Sequence, residues 1–140
     1  MPLEEIINRQ GIIISAPASG AGKTTVTLGL INAFARKGSV QPFKSGPDYI
    51  DSKFQSVAAD RPSYNLDTWA MSSSDILNMI GMVGPSDICI AEGSMGLFDG
   101  VISKGAGGNG STADLASITN WPVILVCLLY TSPSPRDLRK

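Results

Sequence analysis

Hydrophobic and polar positions alternate along this chain in blocks rather than residue by residue. Gly11-Ile12-Ile13-Ile14-Ser15-Ala16 is a short β-branched run closed by Pro17. It is too short for a helix and reads as a buried parallel strand. A glycine-rich turn follows. Residues 24–37 then carry Val26, Leu30, Ala33 and Phe34 at helical spacing, with Gly38 as the stop. Residues 39–44 predict a second short strand. Residues 72–83 predict a second helix, capped by Ser72 or Ser73, stopped at Gly84-Pro85, with Ile76, Leu77, Met79, Ile80 and Val83 as its apolar face. The run 87–92 predicts a third strand and ends in Glu92. A glycine-dense loop spans 93–110, a short helix is predicted over 112–119, and a fourth strand over 122–126. The pattern assigns no regular element between Lys44 and Ser72. Strands alternating with helices predict an α/β fold, a parallel sheet flanked by helices.

Composition narrows the chemistry. The chain has 140 residues, 43% of them hydrophobic and 16% charged, which suits one folded domain and not a disordered chain. Lys+Arg number 11 against 12 Asp+Glu, so no basic nucleic-acid surface or polybasic membrane patch is expected. There is no histidine. A Ser-His-Asp triad, a Cys-His pair and a His-ligated zinc site are therefore excluded within this chain. Cys89 and Cys127 lie in apolar runs and read as small buried hydrophobes in a reducing compartment. The acidic start Met1-Pro2-Leu3-Glu4-Glu5 is unlike a signal peptide. The longest apolar run, 122–130, falls far short of the ~18 residues of a membrane span. A soluble cytoplasmic protein is the expectation. Residues 130–140 lack periodicity and read as a linker or disordered tail.

The candidate chemistry begins at Ser19-Gly20-Ala21-Gly22-Lys23-Thr24-Thr25, between the first strand and the first helix. Glycines let successive backbone N–H groups curl around phosphate oxygens, and the helix start adds its dipole. Lys23 would reach the terminal phosphates and the Thr24 hydroxyl would ligate Mg²⁺. Pro17 stands where the usual loop has its first glycine, so the loop is a variant. The alternative is a chance Gly-Lys-Thr at a helix start, against which the flanking strand and helix argue.

Acidic residues recur at strand ends, where an open parallel sheet forms its ligand crevice. Asp48 and Asp51 follow the second strand, Glu92 ends the third, and Asp99 lies in Gly96-Leu97-Phe98-Asp99-Gly100. Beside a phosphate loop such carboxylates would hold Mg²⁺ directly or through water. The plainer alternatives are a turn at Asp48 after Pro47 and an Asp-Gly turn at Asp99. Lys44 is a second phosphate contact or a solvated strand end.

The blocks 16–25, Gln41-Pro42-Phe43-Lys44-Ser45-Gly46-Pro47-Asp48-Tyr49-Ile50-Asp51, Asn65-Leu66-Asp67, 92–100 and Gly110-Ser111-Thr112-Ala113 occur in this order. Together they resemble the N-terminal synthetase domain of the cobyrinate or hydrogenobyrinate a,c-diamide synthases, within the dethiobiotin-synthetase-like group of P-loop enzymes. The resemblance covers about residues 10–126, and Pro17 is normal in that family. It implies that ATP phosphorylates two acetate carboxylates of a corrinoid, each acyl phosphate then being attacked by ammonia. The ammonia would come from glutamine, hydrolysed by a C-terminal glutaminase domain absent from this chain.

Carried over by matched position, the resemblance implies that Lys23 and Lys44 stabilise the transferring phosphoryl group. Thr24, Asp51 and Glu92 would hold Mg²⁺. Asp48, Tyr49 and Asp99 would shape the acyl-phosphate site. Ser111 and Thr112 would hold a substrate carboxylate by helix N–H groups. Residues 1–126 are then expected to be the front of the synthetase domain. After Val126 the chain leaves the family pattern, and residues 127–140 resemble translated sequencing-adapter read-through, foreign to a truncated domain. A nickel-sirohydrochlorin a,c-diamide synthase would share every phosphate-side motif. A partitioning-type ATPase would carry an extra lysine in the region that here reads Ala16-Pro17-Ala18. An inert fragment is the remaining reading, and a homodimer stays open.

Overall fold

The computed structural model describes residues 9–129. The isoleucine run forms β1 (Gly11–Ser15), buried at four of its five positions. Helix α1 (Lys23–Ala35) follows the glycine loop. Then come β2 (Val40–Ser45), α2 (Ile50–Ala59), β3 (Tyr64–Leu66), α3 (Ser73–Met82), β4 (Ile88–Glu92), α4 (Thr112–Thr119) and β5 (Val123–Leu125). The strands form one five-stranded sheet in the order β3-β2-β4-β1-β5. Every pairing is parallel. The order places β1 and β4 side by side in the centre, in register from Gly11↔Cys89 to Ile14↔Glu92. Glu92 and the phosphate loop thus leave the sheet at the same end.

The two faces bury separate cores. Ile13, Phe43, Ala91 and Leu66 pack against Ile76 and Ile80 of α3 and Leu115 of α4. Ile14, Val40 and Ile90 pack against Ile31 of α1 and Ala59 of α2. Side chains alternate along each strand, so Lys44 and Glu92 share the face covered by α1 and α2. Helix α3 starts as the sequence suggests, on a capping box in which Ser72 accepts from the Asp75 N–H and Asp75 accepts from the Ser72 N–H.

Two elements go beyond the sequence pattern. Helix α2 is built inside out. Its sheet-facing residues include Ser52 and Gln55, while Ile50, Phe54 and Val57 are exposed. Strand β3 has only three residues. It also resolves Pro42, a residue disfavoured in interior strands because it cannot donate to a ladder. β3 begins opposite Phe43, so at Pro42 the strand has a ladder neighbour on the β4 side alone.

Among the cysteines the expectation holds for Cys89, which is buried, and fails for Cys127, which is exposed. Cys127 lies two residues beyond the end of β5. Of the expected tail, residues 130–140 lie outside the described residues. Among the described residues no helix is long and apolar enough to cross a membrane.

Candidate active site

The loop after β1 turns into α1 at Gly22, which occupies the N-cap position with φ 86°. A side chain there would be strained, which accounts for glycine. No acidic residue lies in the first turn of α1, so no carboxylate of the helix itself offsets its positive end. Lys23 stands at that end. Burial pushes its ammonium below the usual lysine value, and the nearby Lys44 charge adds to the effect, against Glu92, Asp51 and Asp48.

Behind the loop the fold brings five side chains together. The Thr24 hydroxyl donates to Glu92 Oε1 at 2.6 Å. Gln55 Nε2 donates to Glu92 Oε2 at 2.8 Å. Glu92 is fully buried, so both carboxylate oxygens need such partners. Lys44 is 3% exposed, which overturns the solvated strand end as an alternative. Its Nζ lies 3.2 Å from Asp51 Oδ2 and 3.6 Å from Glu92 Oε1, and donates to the Gly93 carbonyl at 3.1 Å. A buried lysine held by two carboxylates and a carbonyl is fixed in place.

Asp48 and Asp51 sit at the start of α2. Asp48 Oδ1 accepts the N–H groups of Ile50 and Asp51 at 2.9 and 3.3 Å. Partial burial pushes the Asp48 carboxyl up. Those two N–H groups and the Lys44 charge outweigh it and hold the carboxyl below the usual range. Asp48 therefore also serves as the turn residue that the Pro47-Asp48 pairing suggests. Tyr49 is 71% exposed at the rim. Asp99 lies in the loop after β4, where its Oδ2 accepts the Gly96 N–H at 2.9 Å.

Ser111 and Thr112 are buried at the start of α4. The Ser111 hydroxyl accepts the Asp114 N–H at 3.2 Å, and Thr112 Oγ1 accepts the Ser94 N–H at 3.1 Å. The N–H groups of Ser111 and Ala113 donate to Asn109 Oδ1 and the Leu97 carbonyl, at 3.1 and 2.9 Å. In the structure this helix start fastens the glycine-rich loop.

Three further residues shape the site without having been singled out from sequence. Gln55 lies one helical turn after Asp51, and that i, i+4 spacing is the signal that places both on one face. Asn65 Nδ2 clamps the Gly46 and Asp48 carbonyls at 2.7 and 2.6 Å. The Ser94 hydroxyl donates to the Ser45 carbonyl, tying the loop after β4 to the end of β2.

The donor set is all oxygen: the Thr24 hydroxyl and the carboxylates of Glu92 and Asp51. Among the described residues no group of three or more His, Cys, Asp or Glu side chains is placed to hold a metal by itself. This fits Mg²⁺, which takes one or two carboxylates and completes its shell with phosphate oxygens and water.

A phosphate loop at the central strand of a parallel sheet, with a lysine and a threonine at the helix start, defines a P-loop nucleotide-binding domain. The chain belongs to the CbiA family, the CobQ/CobB/MinD/ParA nucleotide binding domain, whose model matches residues 12–119. It is 51% identical over 118 residues to a hydrogenobyrinate a,c-diamide synthase of Rhodobacter capsulatus, covering 84% of this chain and 27% of that protein. Proteins of the same name from Brucella ovis and Rhizobium meliloti are each 48% identical, over 84% and 83% of this chain. The chain spans about a quarter of the length of these curated relatives, 27% in each case. No solved structure matches it.

Proposed function

We propose that this chain is the ATP-binding front of a hydrogenobyrinate or cobyrinate a,c-diamide synthase, a carbon–nitrogen ligase of cobalamin biosynthesis working in the cytoplasm. The observation that carries the reading is the convergence of Thr24, Lys44, Asp51 and Glu92 behind a phosphate loop of the proline-containing type. The names of the relatives support the corrinoid over the nickel-sirohydrochlorin substrate.

When bound, MgATP supplies a transferable γ-phosphoryl group and a cation that screens its charge. The chain's residues do the rest by position and charge. Ser19 to Thr25 wrap the phosphates with backbone N–H groups, and Lys23 reaches the terminal ones. Thr24, Asp51 and Glu92 would hold the metal. Lys44, fixed by its two carboxylates, offsets the repulsion between an incoming carboxylate and the phosphates. Asp48, Tyr49 and Asp99 line the approach of the substrate acetate. Ser111 and Thr112 act one step back, by fastening the loop that carries Asp99. An acetate oxygen would take the γ-phosphoryl group with ADP as the leaving group, and ammonia derived from glutamine would then attack the acyl carbon, releasing inorganic phosphate and leaving the amide.

The test is ADP formation from MgATP that depends on added hydrogenobyrinic acid. Dependence on the tetrapyrrole, abolished in Lys23→Ala at an unchanged melting temperature, supports the reading. ATP hydrolysis indifferent to the tetrapyrrole overturns it.

A further inference from the structure

Helix α2 carries a fully buried glutamine on the face where a core helix usually carries leucine or isoleucine. Gln55 is 0% exposed, while Phe54 and Val57 of the same helix stand in solvent. Burying an amide costs free energy unless its polar ends are bonded. Here both ends are. Nε2 donates to Glu92 Oε2 at 2.8 Å, and Oε1 accepts from the Ser63 hydroxyl at 2.8 Å. A hydroxyl donor on one side and a carboxylate acceptor on the other fix the sense of the amide. Ser63 is itself anchored to the helix. Its N–H donates to Ser56 Oγ at 2.8 Å, and the Ser56 hydroxyl donates to the Ser52 carbonyl at 2.8 Å.

The amide divides the two oxygens of the Glu92 carboxylate between two sides of the site. Oε2 is turned to α2 and taken by Gln55. Oε1 accepts the Thr24 hydroxyl at 2.6 Å and lies 3.6 Å from Lys44 Nζ, so it is the oxygen on the side of the phosphate loop. A carboxylate pinned at one oxygen can offer a cation only the other. Divalent cations differ in how well they accept this. Mg²⁺ takes single oxygens in a strict octahedron and fills its shell with water and phosphate, whereas Ca²⁺ gathers more oxygens, often both of one carboxylate.

We propose that Gln55 is a positioning residue that makes Glu92 a one-oxygen partner for the metal of the nucleotide, and so sets a preference for MgATP over CaATP. The inference rests on the metal-holding role proposed above for Glu92 and deepens it. Gln55 touches neither nucleotide nor metal. It acts through Glu92, and Ser63 acts through Gln55. The inward polar face of α2 thus has a task in the site, which an apolar face could not perform.

The experiment is equilibrium binding of ATP to the full chain, with Mg²⁺ or Ca²⁺ as the only divalent cation, comparing wild type with Gln55→Met and Ser63→Ala. Methionine fills the space of the glutamine without its donor. The wild type should bind MgATP more tightly than CaATP. In Gln55→Met the ratio of the CaATP Kd to the MgATP Kd should fall by about tenfold or more, the scale on which losing a hydrogen bond to a metal-holding side chain acts. Ser63→Ala removes only the hydroxyl that orients the amide, at a half-buried position, and should shift the ratio the same way by less. A role confined to stability would weaken both complexes alike and leave the ratio where it was. If the ratio is unchanged in both variants, the inference is overturned and the proposed function stands. If Gln55→Met does not fold, Ser63→Ala decides, and an unchanged ratio there overturns the inference. If the wild type binds MgATP and CaATP equally well, the inference falls alone. If it binds ATP with neither cation, the inference and the proposed function fall together.

Discussion

Lys23 holds its charge where burial opposes it, and this gives two pH effects of opposite sign. Its pKa is lowered in the folded chain, chiefly by desolvation and next by Lys44. Nucleotide phosphates need the ammonium form. Affinity for ATP should therefore fall as pH rises through the lowered value, below the pH where an ordinary lysine titrates. Folding stability should move the other way in that window. The unfolded chain still holds the proton that the folded chain has released, so stability rises with pH. Titrating ATP binding and urea midpoints from pH 7 upward checks both signs. Lys23→Arg should flatten the binding profile, because a guanidinium keeps its proton throughout. Lys44 poses a different problem. Lys44→Met would leave Glu92 fully buried and Asp51 half-buried without their cation, and breaking such a pair costs about 3–5 kcal/mol. A urea midpoint close to wild type would refute that. From sequence, Lys23 and Thr24 were legible by spacing from Gly22. Lys44 was ambiguous, because only the registers of β2 on β4 and β1 on β4 turn it inward beside Glu92.

At the scale of elements, α2 explains why the middle of the chain resisted reading. Hydrophobic periodicity assumes that the apolar stripe faces the core. Here Ile50, Phe54 and Val57 face out while Ser52 and Gln55 face in. The inward polar side chains serve the site: Gln55 reaches Glu92 at 2.8 Å and accepts from the Ser63 hydroxyl at 2.8 Å. Gln55→Leu should strip one buried carboxylate oxygen of its donor, at a cost of roughly 2 kcal/mol. Chemical denaturation measures it, and an unchanged midpoint would mean that water replaces the amide. Helix α3 is the opposite case. Its apolar face, Ser72 cap and Gly84-Pro85 stop agree with one another, so pattern alone located it. Ser72→Ala removes the capping box and should cost about 1 kcal/mol. Because α3 lies on the sheet face away from Glu92, ATP affinity should not change.

For the whole molecule, the order β3-β2-β4-β1-β5 puts the phosphate loop and Glu92 on adjacent central strands, with thin strands outside them. The alternation of strands and helices made the parallel sheet legible. The order of the strands was not, since it depends on which hydrophobic faces pair across the sheet. At one margin, β5 pairs with β1 alone among the described residues and leaves Ile124 and Leu125 half exposed. An apolar edge of this kind invites self-association. Ile124→Lys should reduce concentration-dependent association in sedimentation, without altering ATP affinity.

Nucleotide binding and folding are coupled in this architecture. The loop and helix start that receive the phosphates are ordered by β1 and α1, and Thr24 is tied to Glu92 across the sheet. MgATP can bind only the folded arrangement, so it must stabilise the fold by mass action. At a free concentration one hundred times Kd the gain is about 2.7 kcal/mol. For a domain of this size that corresponds to a rise of roughly 10 °C in Tm. Lys23→Ala should keep the fold but remove the charge proposed to meet the phosphates. At the same ATP concentration its Tm should barely move, while its Tm without nucleotide stays near wild type. Equal shifts in wild type and variant would mean that ATP binds elsewhere. The absence of any shift in the wild type would mean that the chain holds the form of the site without its function.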